Sequence, residues 1–559
     1  MTGRWRRAGA ITSGVVLVAA VGAVAAYGLD PLPGLGDSLH GGAGSSAVRQ
    51  VSVPAAEQVL SCPSGARLTD DRSVGDKAFD ADPVRTTSTA AAAVVGPDAK
   101  GTFGPLDASK PVTLDAGPDA AVIASDDAKH PRVLVAQPQG GTGPTGTAAV
   151  ASTTASGDLR GLAAASCTAP SINQWLVGGS TELGSSSRLV LQNPGSTAAS
   201  VSMTVFGPTG EVTVGGSDRF VVPPQGEVET LVEAGVPDQE RVVVHVESEG
   251  GLVSAYLQHS TVGGIVAQGV DDVTPGSGPT TSLAVAGVVS AGEAVGDDHA
   301  PRLRLLAPDG DPVTATVRAL GPDGEVAIPG AEKVSLDDGV VQDVGLGGLP
   351  AGTYTVVVDA DGPVVGGAWL SRAGTPDPDS TRGGIQYDQA WLAASDLTRS
   401  VDAAGYLGSV ALPEGVHGVV GVGAVGDEDV AGTLTAYGTD GAAVAERAVS
   451  VKAGRTATVD VADLAKKAAK DAKAPRVAAV SLTADGGDDA RAVWGVSLDA
   501  GPQAPHATKG DPGSFVSALA PVLRGPGERD VSVRETETVG GQSGAPEPAP
   551  EPTPTPSGQ

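Results

Sequence analysis

Three stretches of this chain repeat one pattern in one register. Met203–Val212 (MTVFGPTGEV), Val317–Val326 (VRALGPDGEV) and Leu434–Val444 (LTAYGTDGAAV) each lead a strand-like approach into Gly, a turn pair and a second Gly. Their first glycines, Gly207, Gly321 and Gly438, lie 114 and 117 residues apart. Eighteen residues before each glycine stands an alternating apolar pair: Leu189/Leu191, Leu303/Leu305 and Val420/Val422. Positions of period two then align as Val201, Met203, Val205, as Ala315, Val317, Ala319, and as Gly432, Leu434, Ala436.

A period of two means one buried face, so these segments are strands joined by tight Gly-containing turns. A Val-rich strand comes after each hairpin (Arg241–Val246, Tyr354–Val358, Arg476–Leu482), and a last strand comes after a polar turn, ending near Tyr256, Trp369 and Trp494. Those three aromatics read as core or interdomain plugs. Six or seven short strands in ~85–115 residues is the size of an antiparallel, immunoglobulin-like β-sandwich. The third copy carries Asp463–Lys473, an Asp-led, Lys-ended stretch that reads as a short helix stopped by Pro475. A fainter copy precedes these: Gly96-Pro97-Asp98 lies 111 residues before Gly207, and Pro83 falls where Pro194 and Pro308 fall. Its approach, Ala91–Val95, does not alternate.

The ends of the chain bear on compartment. Arg4, Arg6 and Arg7 precede about twenty uncharged residues up to Asp30, enough to span a ~30 Å hydrocarbon core at ~1.5 Å per residue. Basic residues before such a segment hold its start in the cytoplasm and place the rest of the chain outside. The segment reads as an uncleaved anchor, with a signal peptide cleaved near Ala25 as the alternative. Two cysteines, Cys62 and Cys167, make an even count in an exported chain, which favours a disulfide between them. In that case the bridge ties the fainter copy's beginning to its end, with Trp175 packing nearby. The end of the chain, with Pro546, Pro548, Pro550, Pro552, Pro554 and Pro556 in alternation, reads as a solvated spacer, in which Thr553 and Thr555 are candidate sugar acceptors.

The expected organisation is therefore all-β: residues 1–28 a cytoplasmic stub and membrane helix, 29–50 a linker, 51–180 an N-terminal β unit, 181–275, 276–398 and 399–502 sandwich units, the last with a helical insert, and 503–559 a disordered Pro-rich tail.

Chemistry is scarce in the sequence. With 65 acidic against 36 basic residues the net charge is -29, which argues against nucleic acid as a partner. The seven histidines, His40, His130, His245, His259, His299, His417 and His506, form no metal-ligand pair at the spacing of one strand or helix turn. No nucleophile elbow, phosphate loop or dinucleotide fingerprint occurs. Acidic turns at Asp359–Asp361, Asp427–Asp429 and Asp485–Asp489 lack a complete calcium ladder and read as solvated hairpins. The expectation is no catalytic, cofactor-binding or metal-binding residue and no cofactor.

With SCPSG at Ser61–Gly65, INQWLVGGS at Ile172–Ser180, LVLQNPG at Leu189–Gly195 and VFGPTGEV, the chain resembles, over roughly residues 50–500, the actinobacterial domain-of-unknown-function family number 5719. That resemblance implies an exported or membrane-anchored envelope protein and carries no functional residue. The resulting expectation is a non-enzymatic, single-pass envelope scaffold with its C-terminus outside and an envelope protein as partner; the alternative is an exported carbohydrate-active enzyme or sugar-binding protein acting on envelope glycan.

Overall fold

Repeated two-period strands need a facing sheet to bury their apolar side, and in the computed structural model they find one four times over. The structure describes residues 48–68, 86–125, 128–264, 266–308, 310–376, 384–398, 405–469, 475–485, 491–500 and 515–534. The expected membrane segment, the Pro-rich end, His40, His506 and the linker up to residue 47 lie outside these residues, while the last three linker residues, 48–50, belong to a strand. Among the described residues no helix is long and apolar enough to cross a membrane.

The chain divides into two compact units, Met1–Val51 with Asp530–Gln559, and Ser52–Arg529. Strands β1 (Val48–Val53) and β36 (Arg529–Arg534) pair as a two-stranded sheet. Gln50 bonds Ser532 at 2.8 Å, and Ala56 N–H donates to Pro526 O at 3.1 Å, so numbers fall in one strand as they rise in the other, an antiparallel pairing.

The unit Ser52–Arg529 holds four modules. The first comprises β2 (Gln58–Cys62), β3 (Thr86–Val95), β4 (Lys100–Pro105), β5 (Val112–Asp115), β6 (Ala120–Ser125), β7 (Arg132–Gln137), β8 (Gly146–Thr154) and β9 (Gly161–Ser166). In the second are β10 (Asn173–Val177), β11 (Ser185–Asn193), β12 (Ala199–Gly207), β13 (Gly210–Val212), β14 (Arg219–Val222), β15 (Gly226–Leu231), the one-turn helix α1 (Val232–Gly235), β16 (Val243–Glu249), β17 (Ser254–Gly263) and β18 (Val266–Val273). The third has β19 (Thr280–Ser290), β20 (Arg302–Leu306), β21 (Val313–Gly321), β22 (Gly324–Val326), β23 (Val334–Leu336), β24 (Gln342–Gly345), β25 (Gly352–Pro376), β26 (Ile385–Ala393) and β27 (Ser395–Asp396). The fourth has β28 (Tyr406–Ala411), β29 (Val416–Ala424), β30 (Val430–Gly438), β31 (Ala443–Val451), β32 (Thr456–Asp460), α2 (Val461–Ala469), β33 (Val477–Asp485), β34 (Ala492–Ala500) and β35 (Ser517–Leu519).

One topology serves all four. The first module pairs its strands as β2-β7-β4-β5 and β6-β3-β8-β9, the second as β10-β16-β12-β13 and β15-β11-β17-β18, and the fourth as β28-β33-β30-β31 and β32-β29-β34-β35. In the third, the 25-residue β25 serves both sheets, pairing with β19 and β21 through its first half and with β20 and β26 through its second. Inward residues of the facing sheets make one core per module, in the second Leu189, Leu191, Val201, Met203 and Val205 with Val244, Val246 and Leu257. These are the residues the alternation singles out. In the hairpins the second glycine takes the left-handed conformation, Gly210 at φ 115° and Gly324 at φ 129°.

The structure departs from the sequence reading in four places. Gly96 comes after β3, the second strand of its module, whereas Gly207 ends the third strand of its own; the turn homologous to Gly207 is the β4–β5 connection, where Ala108 sits at φ 55°. The first module ends before β10, so Asn173–Val177 belongs to the second. The strands expected to be last in the three clear copies are succeeded by further ones, β18 in the second module, β26 and β27 in the third and β35 in the fourth, and β9 stands in the corresponding place in the first. Finally, residues 515–534, assigned to the tail, are folded: Phe515, Val516 and Leu519 are buried, and β35 pairs with Val496–Leu498. The helical insert is present as α2, capped by Asp460, whose Oδ1 accepts the Ala462 N–H at 2.7 Å.

Candidate functional site

The four additional strands meet. β9, β18, β26 and β35, one from each module, pack on one another within Ser52–Arg529. Two carboxylates lie there. Asp271 on β18 accepts the Ala164 N–H of the first module at 3.1 Å, the Trp391 N–H of the third at 2.7 Å and the Ser517 hydroxyl of the fourth at 2.8 Å. Asp388 on β26 accepts through Oδ2 the N–H of Leu162 in the first module at 3.0 Å and of Val516 in the fourth at 2.9 Å. Against the second module it rests on Gly269, at φ 110°, where a Cβ would come within 2.7 Å of Asp388 Oδ1 and 2.5 Å of the Gln389 nitrogen. Each acid thus touches every module but its own.

Burial dominates the electrostatics here. It pushes Asp388 up to about 7 against the N–H bonds and the Arg160 guanidinium, Asp272 up to about 7 against Arg188, and Asp271 well above the usual carboxylate range. Arg160 is 2% exposed and stacks over Phe515, 4.7 Å from its ring centre.

Polar contacts also join neighbouring modules. Between first and second, the Tyr256 hydroxyl bonds Ser64, and the Arg188 guanidinium donates to the Arg67 carbonyl. Between second and third, Arg304 forks onto Asp343 at 2.8 and 3.0 Å, donates to Gly179 O at 2.6 Å and lies over Trp391, whose indole N–H donates to His259. Burial and the nearby Arg304 push His259 down to about 3, so its ring is neutral. Between third and fourth, Thr456 donates to Leu320 O at 2.7 Å, and a cleft of about 480 Å³ opens, lined by Arg318, Asp359, Leu397, Asp427, Glu428 and Arg491 among others. Between fourth and first, Thr147 donates to Ser409 O at 3.0 Å. The modules therefore close a ring of contacts.

Cys62 and Cys167 are joined, 105 residues apart in sequence, and with the Ser61–Thr168 bridge they fasten the end of β2 to the residues just after β9. Trp175 does not pack beside that bridge; it stacks on His245 at 3.9 Å and joins Phe206, Leu306 and Val365 between the second and third modules. Tyr256 is an intermodule contact, as its position suggested, while Trp494 is a core residue donating to Leu407 O at 2.8 Å. His299 stacks on Tyr387, and His417 sits between Asp460 and Asp499 at 3.1 and 3.3 Å. Among the described residues no three His, Cys, Asp or Glu side chains converge as metal ligands. Sequence reasoning passed over Asp271, Asp272, Asp388 and Arg160, because an acid beside Val or Tyr carries no sign that neighbours will enclose it.

This is the architecture of a modular all-β protein whose buried polar groups tie module to module. The chain belongs to the family of unknown function DUF5719, whose sequence pattern matches residues 122–462, from β6 into α2. No curated protein and no solved structure matches it.

Proposed function

We propose that this protein is a non-enzymatic, extracytoplasmic envelope scaffold, in which immunoglobulin-like sandwich modules are locked in fixed mutual orientation to present loops and strand edges to another envelope protein. One observation carries the reading: Asp271 and Asp388 each bind or abut all three other modules, so carboxyl groups that an active site would turn toward a substrate are enclosed and hold orientation instead. An anchor within residues 1–28 and a Pro-rich spacer beyond residue 534 fit the same role. The strongly acidic surface disfavours anionic wall polymers and favours a protein partner.

Photo-crosslinking in cells tests this, with the reactive group placed at the fully exposed Leu183 or at Val295. A discrete adduct with one envelope protein is expected. No adduct from either position, together with hydrolysis of envelope glycan by the purified chain that Asp359→Asn or Asp427→Asn abolishes, would transfer the assignment to a glycan-acting enzyme working in the cleft.

A further inference from the structure

We infer that the four-module junction holds Asp388 as a neutral carboxylic acid protonated on Oδ1, and that ionisation of this group loosens the grip of the third module on the first and fourth.

The two oxygens of Asp388 differ. Oδ2 is occupied by two backbone donors, Leu162 N–H and Val516 N–H. Oδ1 is fully enclosed and makes no hydrogen bond; the neighbouring Gln389 N–H favours the charged form, but burial outweighs it. Gly161 and Gly269 close on Oδ1, each so near that a methyl group would collide with it. A negative charge on an enclosed oxygen without a hydrogen bond is strongly disfavoured, whereas a neutral carboxylic acid, accepting through Oδ2 and carrying its proton on Oδ1, leaves only one neutral O–H without an acceptor, a much smaller cost. A neutral acid also explains how four modules bring Asp271 and Asp388 into one dry junction without accumulating two negative charges.

Charged groups approach Asp388 from several elements. From β18 comes Asp271, which shares the β9 and β35 segments with Asp388, while its neighbour Asp272 faces the other side of the strand toward Arg188. Arg160, just before β9, favours ionisation, but its guanidinium lies over Phe515. On β25, Arg372 is the cross-strand partner of Asp388 and donates to the Phe515 carbonyl at 3.3 Å, while Asp359, farther along, is held at the rim by Arg318 and Ser282. His259 on β17 is neutral, and β9, β19 and β35 contribute no titratable side chain. Burial thus prevails, in agreement with the rise of Asp388 to about 7.

Linkage sets the sign of the pH dependence. Once the junction opens, Asp388 ionises near the ordinary aspartate value of about 4. The contact is at full strength below that pH and is lost progressively as pH rises through about 7, with the opening equilibrium increasing by up to about tenfold per pH unit in between.

Amide hydrogen exchange on the full chain, measured at Leu162 and Val516 from pH 5 to pH 8 and corrected for intrinsic exchange, reads this opening directly. The wild type is expected to show the rising opening constant, and Asp388→Asn, which keeps the shape without the ionisation, a slope lower by one proton. A wild-type opening constant flat across the range, or an unchanged slope in D388N, would overturn the inference. Should D388N fail to fold, infrared spectroscopy with carboxyl-labelled aspartate on an Asp271→Asn/Asp272→Asn variant, which lacks the other two raised carboxyls, decides the matter. A protonated carboxyl band at pH 5.5 that disappears around pH 7 supports it, and the absence of that band at pH 5.5 refutes it.

Discussion

The hydroxyl of Ser517 donates to Asp271 across 2.8 Å of space and 246 residues of sequence, and in doing so pins the last strand of the fourth module to the last strand of the second. That contact makes a segment with the composition of a tail into part of the interior. Ser517→Ala removes a donor from a buried carboxyl and is expected to cost about 1–3 kcal/mol. Phe515→Ala, which also strips the cover from Arg160, is expected to cost about 3–5 kcal/mol. Urea unfolding of both variants checks the order; a Phe515→Ala midpoint equal to that of the wild type would return residues 515–519 to the tail.

The Cys62–Cys167 bridge closes 105 residues. In the chain-entropy description a loop of this length stabilises by about 4–5 kcal/mol. Denaturation with and without reductant, and of the double Ser variant, should show that loss in both cases.

Arg304 and Asp343 form a buried pair, their side chains 6% and 12% exposed. Arg304→Ala leaves Asp343 without its partner and empties the space over Trp391, at an expected cost of about 3–5 kcal/mol. Arg304→Lys cannot reproduce the fork and should recover only part of it. A double-mutant cycle with Asp343→Ala should return a large coupling energy, the double variant losing much less than the two single losses combined.

His417 offers a pH dependence opposite in origin to that of the junction. Partial burial pulls its ring down, but hydrogen bonds that its ring N–H groups donate to Asp460 and Asp499 outweigh this and raise it above 6.5. The two acids respond differently: burial lifts Asp499, while in Asp460 the bonds from His417 and the α2 amides overcome burial and lower it. Because the folded value of His417 is raised, its stabilisation is complete below pH 6.5 and is lost as pH climbs through the folded value. The ring is 28% exposed, so the effect is a fraction of what a buried pair would give. Titration of the imidazole by NMR should place its midpoint above 6.5 in the wild type and lower in Asp460→Asn.

Three of the four modules were legible because their cores face only inward, leaving alternation along β12, β21 and β30 and glycines at the turns. The first module was obscured by its own burial. Along β3, Ala90, Ala92 and Val94 enter the module's core while Ala91 enters the fourth module's core and Ala93 and Val95 meet Tyr437 and Ala479, so both faces are apolar and the period of two vanishes. The same holds for β9, whose six residues are all buried. The junction stayed hidden for a related reason. Nothing beside Asp271 in the sequence marks it as buried; three other modules, brought in from distant parts of the chain, remove the water around it.

The pairing of β1 with β36 has a mechanical consequence. Because the strands are antiparallel, Val48 and Arg534 lie at the same end of the ribbon. Tension between the chain entering at Val48 and the chain leaving at Arg534 therefore acts across the ladder, along its hydrogen bonds, and opens them in succession from that end. Such a ribbon yields like a zipper at low force and takes up slack before any load reaches the disulfide.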